Sequence, residues 1–254
     1  MSVADDAALG EVQRLTISPG HVIGRMRYSP SGRYLAVGSH NNNIYLLDAA
    51  HQTYGMHRRL SGHSSYVTHV DWSRDDRVLQ SSCGAYEILY WDVEKGCTFR
   101  STKDSVESDT AWASFTLTLG FPVMGIFGRD SDGTDVNSCH RAPDGRFVVA
   151  ADDNGNVNLF HNPVTCRWAA HRSYEGHSSH CLGVRFTCDS KRVVSAGGRD
   201  AALVVWNVTD NFANDHSGDV AERANIPASA RPAWMAGCDL KTSTDILRKA
   251  RPML

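Results

Sequence analysis

GHSSYVTHVDWSRDDRVLQSSCGAYEILYWD, residues 62–92, is followed at residues 176–206 by GHSSHCLGVRFTCDSKRVVSAGGRDAALVVW. Both stretches begin with Gly-His-Ser-Ser, pass through two apolar patches separated by a charged turn, and then reach a Trp. The first His and this Trp are 28 positions apart in the first stretch and 29 in the second. Because both the ends and the spacing agree, the sequence indicates a fold built from internal repeats.

Two weaker copies of the same unit appear when the strong pair is aligned. They are HVIGRMRYSPSGRYLAVGSHNNNIYLLD, residues 21–48, and DGTDVNSCHRAPDGRFVVAADDNGNVNLFH, residues 132–161. Each unit shows three short segments of alternating apolar and polar residues, bounded by Pro, Gly, Asn and Asp, which is typical of strands and turns. No apolar stripe with helical spacing persists through any unit. The predicted third strands end near Leu47, Trp91, Phe160 and Trp206.

The segments between the units predict a fourth, outer strand. They include YGMHRRL at residues 54–60 and TCRWAAH at residues 165–171. Four strands per ~40 to 45 residues, with Gly-His at the start and Trp-Asp near the end, are typical of a WD40 β-propeller blade. The predicted fold class is therefore all-β, a partial WD40 β-propeller with about four recognisable blades plus atypical extra strands.

The repeats also predict the domain organisation. Residues 1–20 form an N-terminal segment that we expect to supply an outer strand to a preceding blade, and residues 21–212 hold the blades. An insertion at residues 93–130 combines a polar loop, STKDSVESDT, with the β-rich stretch WASFTLTLGFPVMGIFG, which we expect to form the extra strands. Residues 213–254 are predicted to be an extended tail, with a short helix near TSTDILRKA.

Composition narrows the classes of partner. The chain has 26 basic and 28 acidic residues, which disfavours a nucleic-acid surface based on bulk charge. Its seven cysteines are scattered and include no Cys-x-x-Cys, so a disulfide framework and a zinc site are both disfavoured and a reducing compartment is favoured. The first residues lack the apolar region of a secretory signal, and no apolar run is long enough to span a bilayer. We expect a soluble, intracellular protein with neither nucleic-acid nor membrane partners.

The sequence contains two clusters of potential metal ligands. DSDGTD, residues 130–135, places Asp residues as calcium loops do, but the bidentate Glu expected downstream is absent, which favours an Asx-turn. His171, His177, His180 and Cys181 match no standard zinc spacing. The chain also lacks a Gly-x-Ser-x-Gly elbow and a P-loop. We therefore predict no catalytic residue, no cofactor and no metal.

The resemblance to WD40 blades implies a structural role for the Gly-His and Trp residues. In such blades a His, an Asp in the turn before the last strand, a Ser or Thr, and the closing Trp form a buried hydrogen-bonded network. The fourth unit has all four residues at suitable positions, namely His177, Ser195, Asp200 and Trp206. The second unit has His63 and Trp91, but Ala85 stands where the Asp is expected, so its network is predicted to be incomplete.

Several longer sequence motifs show a more specific resemblance to a known protein family. GHSSYVTHVDWS, YEILYWDVE, WASFTLTLGFPVMGIF, SDGTDVN and GHSSHCLGVRF occur in this order. Together they resemble the echinoderm microtubule-associated protein-like (EMAP-like) family, and in particular the last blades of that family's second propeller. The similarity runs from about residue 20 to residue 208.

The resemblance implies a non-catalytic function in binding tubulin or microtubules, in the cytoplasm and cytoskeleton and also in the axoneme of cilia or flagella. The alternative is a generic cytosolic scaffold with no affinity for tubulin. The basic end of the chain, with Arg248, Lys249 and Arg251, is a candidate microtubule contact, or else a solvated tail. Four blades do not obviously close a ring. We expect the chain either to be part of a split protein or to have its open edges covered by other protein chains.

Overall fold

The computed structural model describes residues 14–50, 53–95, 110–128 and 131–209, together with the backbone of residues 98–100. The described strands form four antiparallel sheets. The first sheet comprises β1 (Ile23–Tyr28), β2 (Tyr34–Ser39), β3 (Asn43–Asp48) and β4 (Gly55–Ser61), and the second comprises β5 (Val67–Trp72), β6 (Val78–Cys83), β7 (Ile88–Asp92) and β8 (Thr98–Arg100). The third comprises β9 (Val136–Arg141), β10 (Phe147–Asp152), β11 (Asn156–His161) and β12 (His171–Glu175), and the fourth comprises β13 (Cys181–Phe186), β14 (Arg192–Gly197) and β15 (Leu203–Asn207).

Each sheet follows one of the four predicted units, and its strands pair in chain order. The four predicted closing positions all lie in the third strand of their sheets, in β3, β7, β11 and β15. The first strands of neighbouring sheets lie side by side, β1 with β5 and β9 with β13. This arrangement of sheets is that of β-propeller blades, whose first strands lie innermost. The predicted fold class is confirmed.

The turn between the first two strands has the same backbone geometry in every sheet. Its left-handed residue is Gly32, Asp76, Gly145 or Ser190, with φ between 59° and 76°. Glycine adopts this conformation without steric cost, and Asp is among the residues that tolerate it. The four units therefore share a turn geometry as well as a sequence pattern, including the two units in which Asp76 and Ser190 stand in place of glycine.

Three apolar clusters hold the blades together. One cluster joins the first and second sheets around Trp72 and Trp91, and another joins the third and fourth sheets around Phe147 and Phe186. The third cluster lies between the second and third sheets and includes Phe160. Five of its members come from the insertion, which fills the space between these two sheets; they are Trp112, Phe115, Leu117, Val123 and Ile126.

The insertion differs from the sequence prediction in part. It supplies β8 as the outer strand of the second sheet, but residues 112–127 do not add a further sheet. They make one isolated bridge, between Trp112 and Ser73, and then a 3-10 helix, Phe121–Ile126, with Pro near its start. Because the insertion's apolar side chains are used to join two neighbouring sheets, the segment does not need strand partners of its own.

The outer strand of the third sheet lies later than predicted, since it begins at His171, the last residue of TCRWAAH. The segment that precedes this strand is hydrogen-bonded to the 3-10 helix of the insertion instead. Val164 N donates to Pro122 O, and Gly125 N donates to Val164 O, both at 2.8 Å. A Cβ on Gly125 would lie 2.0 Å from Cys166 O, so this close approach requires glycine.

The two end sheets leave apolar faces open. On the first sheet, Met26 is 66% exposed and Tyr28 is 50% exposed, on the face turned away from the second sheet. On the fourth sheet, Leu203 and Val205 are more than half exposed, and β15 has no outer strand among the described residues. The described blades therefore form an unclosed propeller.

In the part of the chain that the structure describes, no helix has the length and apolar character needed to cross a bilayer. Several sequence predictions fall outside that part. They concern the N-terminal segment up to residue 13, most of the polar loop at residues 101–109, and the tail from residue 210, which includes Arg248, Lys249 and Arg251.

Candidate functional site

The fourth sheet brings together the four residues that its sequence singled out. His177 Nδ1 lies 2.9 Å from Asp200 Oδ2, and His177 Nε2 lies 2.8 Å from Ser195 Oγ. Trp206 Nε1 donates to the same Ser195 Oγ at 2.8 Å. Because Ser195 accepts from the indole, its own hydroxyl can donate to Nε2, which leaves the ring proton on Nδ1 facing the carboxylate. Each of these polar groups therefore has a partner.

This Asp-His-Ser order is also that of a hydrolase triad, but its environment does not suit catalysis. Ser195 is fully buried, and the His177 side chain has no exposed surface. A nucleophile must reach a substrate carbonyl, and a general base must be within reach of the proton that it removes. Ser195 Oγ is instead enclosed between an indole N–H and an imidazole. The arrangement can hold the blade together, and it offers no route to a substrate.

The second sheet repeats only the inner half of this network. His63 Nε2 lies 2.7 Å from Ser81 Oγ, and Trp91 Nε1 donates to the same oxygen at 2.9 Å. The outer half differs, because Ala85 provides no carboxylate. Glu87 takes the corresponding place, with its Oε2 at 3.8 Å from His63 Nδ1.

Glu87 was missed by sequence reasoning. Its Oε2 accepts a hydrogen bond from Ser64 N at 2.9 Å and a weaker one from Cys83 Sγ at 3.3 Å. His63 Nδ1 is buried and has no hydrogen-bond partner. Burial lowers the pKa of His63 to about 4, against the opposing charge of Glu87. The only sequence signal for this arrangement is a Glu two residues after the missing Asp, in a turn that is one residue shorter.

The glycines of the two Gly-His pairs have a packing function. A Cβ on Gly176 would lie 2.5 Å from Cη2 of Trp206, and a Cβ on Gly62 would lie 3.2 Å from Cη2 of Trp91. In each case the ring of the closing Trp covers the glycine. The spacing between Gly-His and Trp in the sequence is thus explained by direct contact between the glycine and the Trp ring.

Asp71, on the innermost strand of the second sheet, is a second polar centre that sequence reasoning did not find. It is fully buried, and it receives hydrogen bonds from Ser114 Oγ, Thr116 N and Oγ1, and Leu117 N, at 2.6 to 3.2 Å. The Arg27 guanidinium lies 3.7 Å away. Burial raises the pKa of Asp71, while Arg27 and these hydrogen bonds act against that rise. Asp71 therefore ties the insertion to the innermost strands of two sheets.

Cations surround this centre. Arg25 and Arg27 belong to β1 and Arg185 to β13. The pKa values of Arg25 and Arg185 are lowered, chiefly by burial. Neighbouring guanidinium groups lower them further. The one carboxylate among the charges acting on Arg185 is Asp71. The inner strands around Asp71 thus carry more positive than negative charge.

The residues weighed as metal ligands in the sequence are separated in the structure. His180 Nδ1 lies 2.7 Å from Asp153, His171 Nδ1 lies 3.0 Å from Ala169 O, and Cys181 is buried in β13. In the other motif, Asp132 Oδ1 accepts from Thr134 N at 2.7 Å, which is an Asx-turn. Asp130 lies outside the described residues.

Comparison with known proteins supports the fold. Over 79% of this chain and 70% of the other, the structure is similar to that of the Cps50 (Swd1) β-propeller domain of Myceliophteria thermophila, with a TM-score of 0.57 and 19% sequence identity. At this low identity the similarity shows the fold and nothing about function.

Sequence relatives are more specific. The chain is 44% identical over 206 residues to echinoderm microtubule-associated protein-like 3 of Homo sapiens, covering 80% of this chain and 23% of that protein. It is 45% identical over 185 residues to the 77 kDa echinoderm microtubule-associated protein of Lytechinus variegatus, covering 72% and 28%. The chain thus spans about a quarter of the length of these relatives. A family model described as the echinoderm microtubule-associated protein second β-propeller matches residues 1–208. The chain therefore belongs to the echinoderm microtubule-associated protein family.

Proposed function

We propose that this chain is a non-catalytic propeller component that binds tubulin or microtubules. The observation that carries the proposal is the family match over residues 1–208, together with relatives at 38–46% identity that are named microtubule-associated proteins. Because the chain spans only part of those relatives, their association with microtubules is transferred to it as a hypothesis. Cytoskeletal localisation, including the axoneme of cilia or flagella, belongs to the same hypothesis.

The charge of the inner strands supports this proposal. Arg25 is exposed and Arg185 is partly exposed, and neither forms an ion pair with a carboxylate among the described residues. An acidic surface, as expected of a microtubule, would relieve the mutual repulsion of these guanidinium groups. Such an interaction between accessible charges weakens as salt is added.

The open end faces support a second element of the proposal, namely that further propeller material or another protein chain covers them. The first sheet presents Met26 and Tyr28, and the fourth presents Leu203 and Val205, each at least half exposed. Exposed apolar faces of this kind mark interaction surfaces, and the free edge of β15 can pair with a further strand. These same faces are what a general scaffold would use, so binding to tubulin has to be measured directly.

Co-pelleting of the full chain with taxol-stabilised microtubules provides that measurement. A complete WD40 propeller from an unrelated family serves as the control for trapping. The proposal expects saturable enrichment of the chain in the pellet, above the control. Enrichment equal to that of the control would leave the general scaffold as the supported function.

A further inference from the structure

The turn between β6 and β7 brings three potential metal ligands together. They are His63, Cys83 and Glu87, whose ligand atoms all lie within 4.8 Å of one another. Cys83 Sγ is 3.3 Å from Glu87 Oε2, and His63 Nδ1 is 3.8 Å from that oxygen. This is the only such group of three in the part of the chain that the structure describes.

Comparison with the fourth sheet shows what has changed at this turn. Register places Cys83 opposite Val67, as Gly197 lies opposite Cys181 in the fourth sheet. There the Asp200 carboxylate fills the space beside Gly197, and a Cβ on that glycine would lie 2.0 Å from Asp200 Oδ1. In the second sheet the Asp is absent, and a thiol and a carboxylate point into the equivalent space beside the histidine.

The histidine has an unused nitrogen in this space. The His63 side chain is 1% exposed, yet its Nδ1 has no hydrogen-bond partner. Its Nε2 lies 2.7 Å from Ser81 Oγ, which can accept a hydrogen bond from the Nε2–H group. A metal-bound His commonly donates its second N–H to such an acceptor, which fixes the orientation of the ring. Ser81 is thus placed to orient His63 with the Nδ1 lone pair directed at Cys83 and Glu87.

The distances fit zinc. Bonds of ~2.3 Å to sulfur and ~2.1 Å to nitrogen or oxygen, at a tetrahedral angle, separate two ligand atoms by about 3.4 to 3.6 Å. The separations of Glu87 Oε2 from Cys83 Sγ and from His63 Nδ1, 3.3 and 3.8 Å, lie on either side of that range, and all three ligand atoms lie within 4.8 Å of one another. We propose that His63 Nδ1, Cys83 Sγ and Glu87 Oε2 form a three-ligand Zn²⁺ site whose fourth position is open to water on the exposed side of Glu87.

The protonation states are consistent with binding. Glu87 Oε2 accepts a hydrogen bond from Ser64 N at 2.9 Å, as a carboxylate oxygen does. Zinc binds the thiolate of a cysteine, so binding releases the Cys83 proton to solvent. Neutral His63 carries its proton on Nε2, which donates a hydrogen bond to Ser81 Oγ, so the Nδ1 lone pair is left for the metal. A combination of nitrogen, sulfur and oxygen ligands selects zinc over calcium and magnesium, which prefer oxygen alone.

Cobalt substitution tests the site directly. The full chain, without a polyhistidine tag and stripped of metal by a chelator, is titrated with Co²⁺, and the thiolate-to-cobalt charge-transfer absorption is recorded. Zinc affinity is then measured by competition with a chromophoric chelator. We expect one equivalent of each metal, the charge-transfer band, and loss of the band when zinc displaces cobalt.

Variants assign the ligands. Cys83→Ser is expected to abolish the charge-transfer band, and both Cys83→Ser and Glu87→Gln are expected to lower zinc affinity at least ~10-fold. Cys188→Ser changes an exposed cysteine elsewhere and is expected to leave both readouts unchanged. Absence of the band in the unmodified chain would overturn the proposal, independently of how any variant folds. A band or a zinc affinity that survives Cys83→Ser would overturn it as well.

Discussion

Asp200 Oδ2 lies within hydrogen-bond distance of His177 Nδ1, at 2.9 Å, whereas the nearest carboxylate oxygen to His63 Nδ1 is 3.8 Å away. The inner halves of the two networks are alike, since each His meets a buried Ser that also accepts from the closing Trp. The two blades therefore differ in the outer half of the network, beside His Nδ1.

This difference predicts unequal stabilities for two matched variants. His177→Ala removes a hydrogen bond from Ser195 and another from Asp200. His63→Ala leaves Glu87 with its hydrogen bond from Ser64 N. We expect His177→Ala to lower the free energy of unfolding by ~1 to 3 kcal/mol, and His63→Ala by about 1 kcal/mol less. Denaturant unfolding in the presence of a metal chelator measures both. A larger loss for His63→Ala would refute this account of the two networks.

The fit of glycine against the closing Trp predicts a second pair of variants. In Gly176→Ala the new methyl group would lie 2.5 Å from the Trp206 ring, while in Gly62→Ala it would lie 3.2 Å from that of Trp91. We expect Gly176→Ala to destabilise the fold by ~1 to 3 kcal/mol through overpacking, and Gly62→Ala to cost less. Thermal melts monitored by tryptophan fluorescence give the ranking, and the reverse order would contradict it.

Asp71 is predicted to stabilise the joint between the second sheet and the insertion. Asp71→Asn removes the charge that Arg27 faces and turns an amide N–H₂ toward the donors of Thr116 and Leu117. We expect a loss of about 2 to 4 kcal/mol in the free energy of unfolding. Asp189→Asn, in an exposed turn, is the matched control and should have little effect. Equal urea-unfolding midpoints for the two variants would show that Asp71 does not stabilise the fold more than an exposed aspartate does.

Acid should destabilise the fold through buried histidines that stay neutral. His140 Nδ1 accepts a hydrogen bond from Phe186 N, and its pKa is lowered to about 3 by burial and by Arg185, Arg27 and Arg141. Since the unfolded histidine has a pKa near 6.5, the unfolded chain binds more protons between about pH 6.5 and 3. Stability is therefore present above that window and is lost as the pH falls through it.

At pH 5 this loss amounts to at most ~2 kcal/mol for His140 relative to pH 7.5. His140→Gln can still accept from Phe186 N without titrating, so its stability should fall less between the two pH values. The measurement is the free energy of unfolding of both proteins at pH 7.5 and pH 5. Parallel losses in the two proteins would exclude His140 as a source.

The sequence predicted those features that repeat along the chain. The spacing from Gly-His to Trp reflects direct contact between Gly176 and Trp206, so it is preserved in any blade that keeps the contact. Trp91 and Trp206 fell in the third strands of their sheets for the same reason, and Leu47 and Phe160 fell there because their units share the order of strands and turns.

Features that depend on contacts between different units were not predictable from local pattern. Asp71 finds its partners 43 to 46 residues away, in the insertion. Glu87 replaces the missing Asp only because a shorter turn directs its side chain toward His63. The insertion reads locally as β-strand, but packing between two sheets determines its conformation. In each case tertiary contacts outweigh local propensity.

Binding of tubulin or microtubules through the arginines of the inner strands is tested by co-pelleting the full chain and its Arg25→Gln/Arg185→Gln variant with microtubules. Arg58→Gln/Arg59→Gln, on the exposed outer strand β4, is the matched control because it also removes two positive charges. The prediction is saturable binding that falls with added salt, is reduced several-fold in the Arg25→Gln/Arg185→Gln variant, and is unchanged in the control. Pelleting of the unmodified chain no greater than that of an unrelated propeller would contradict it.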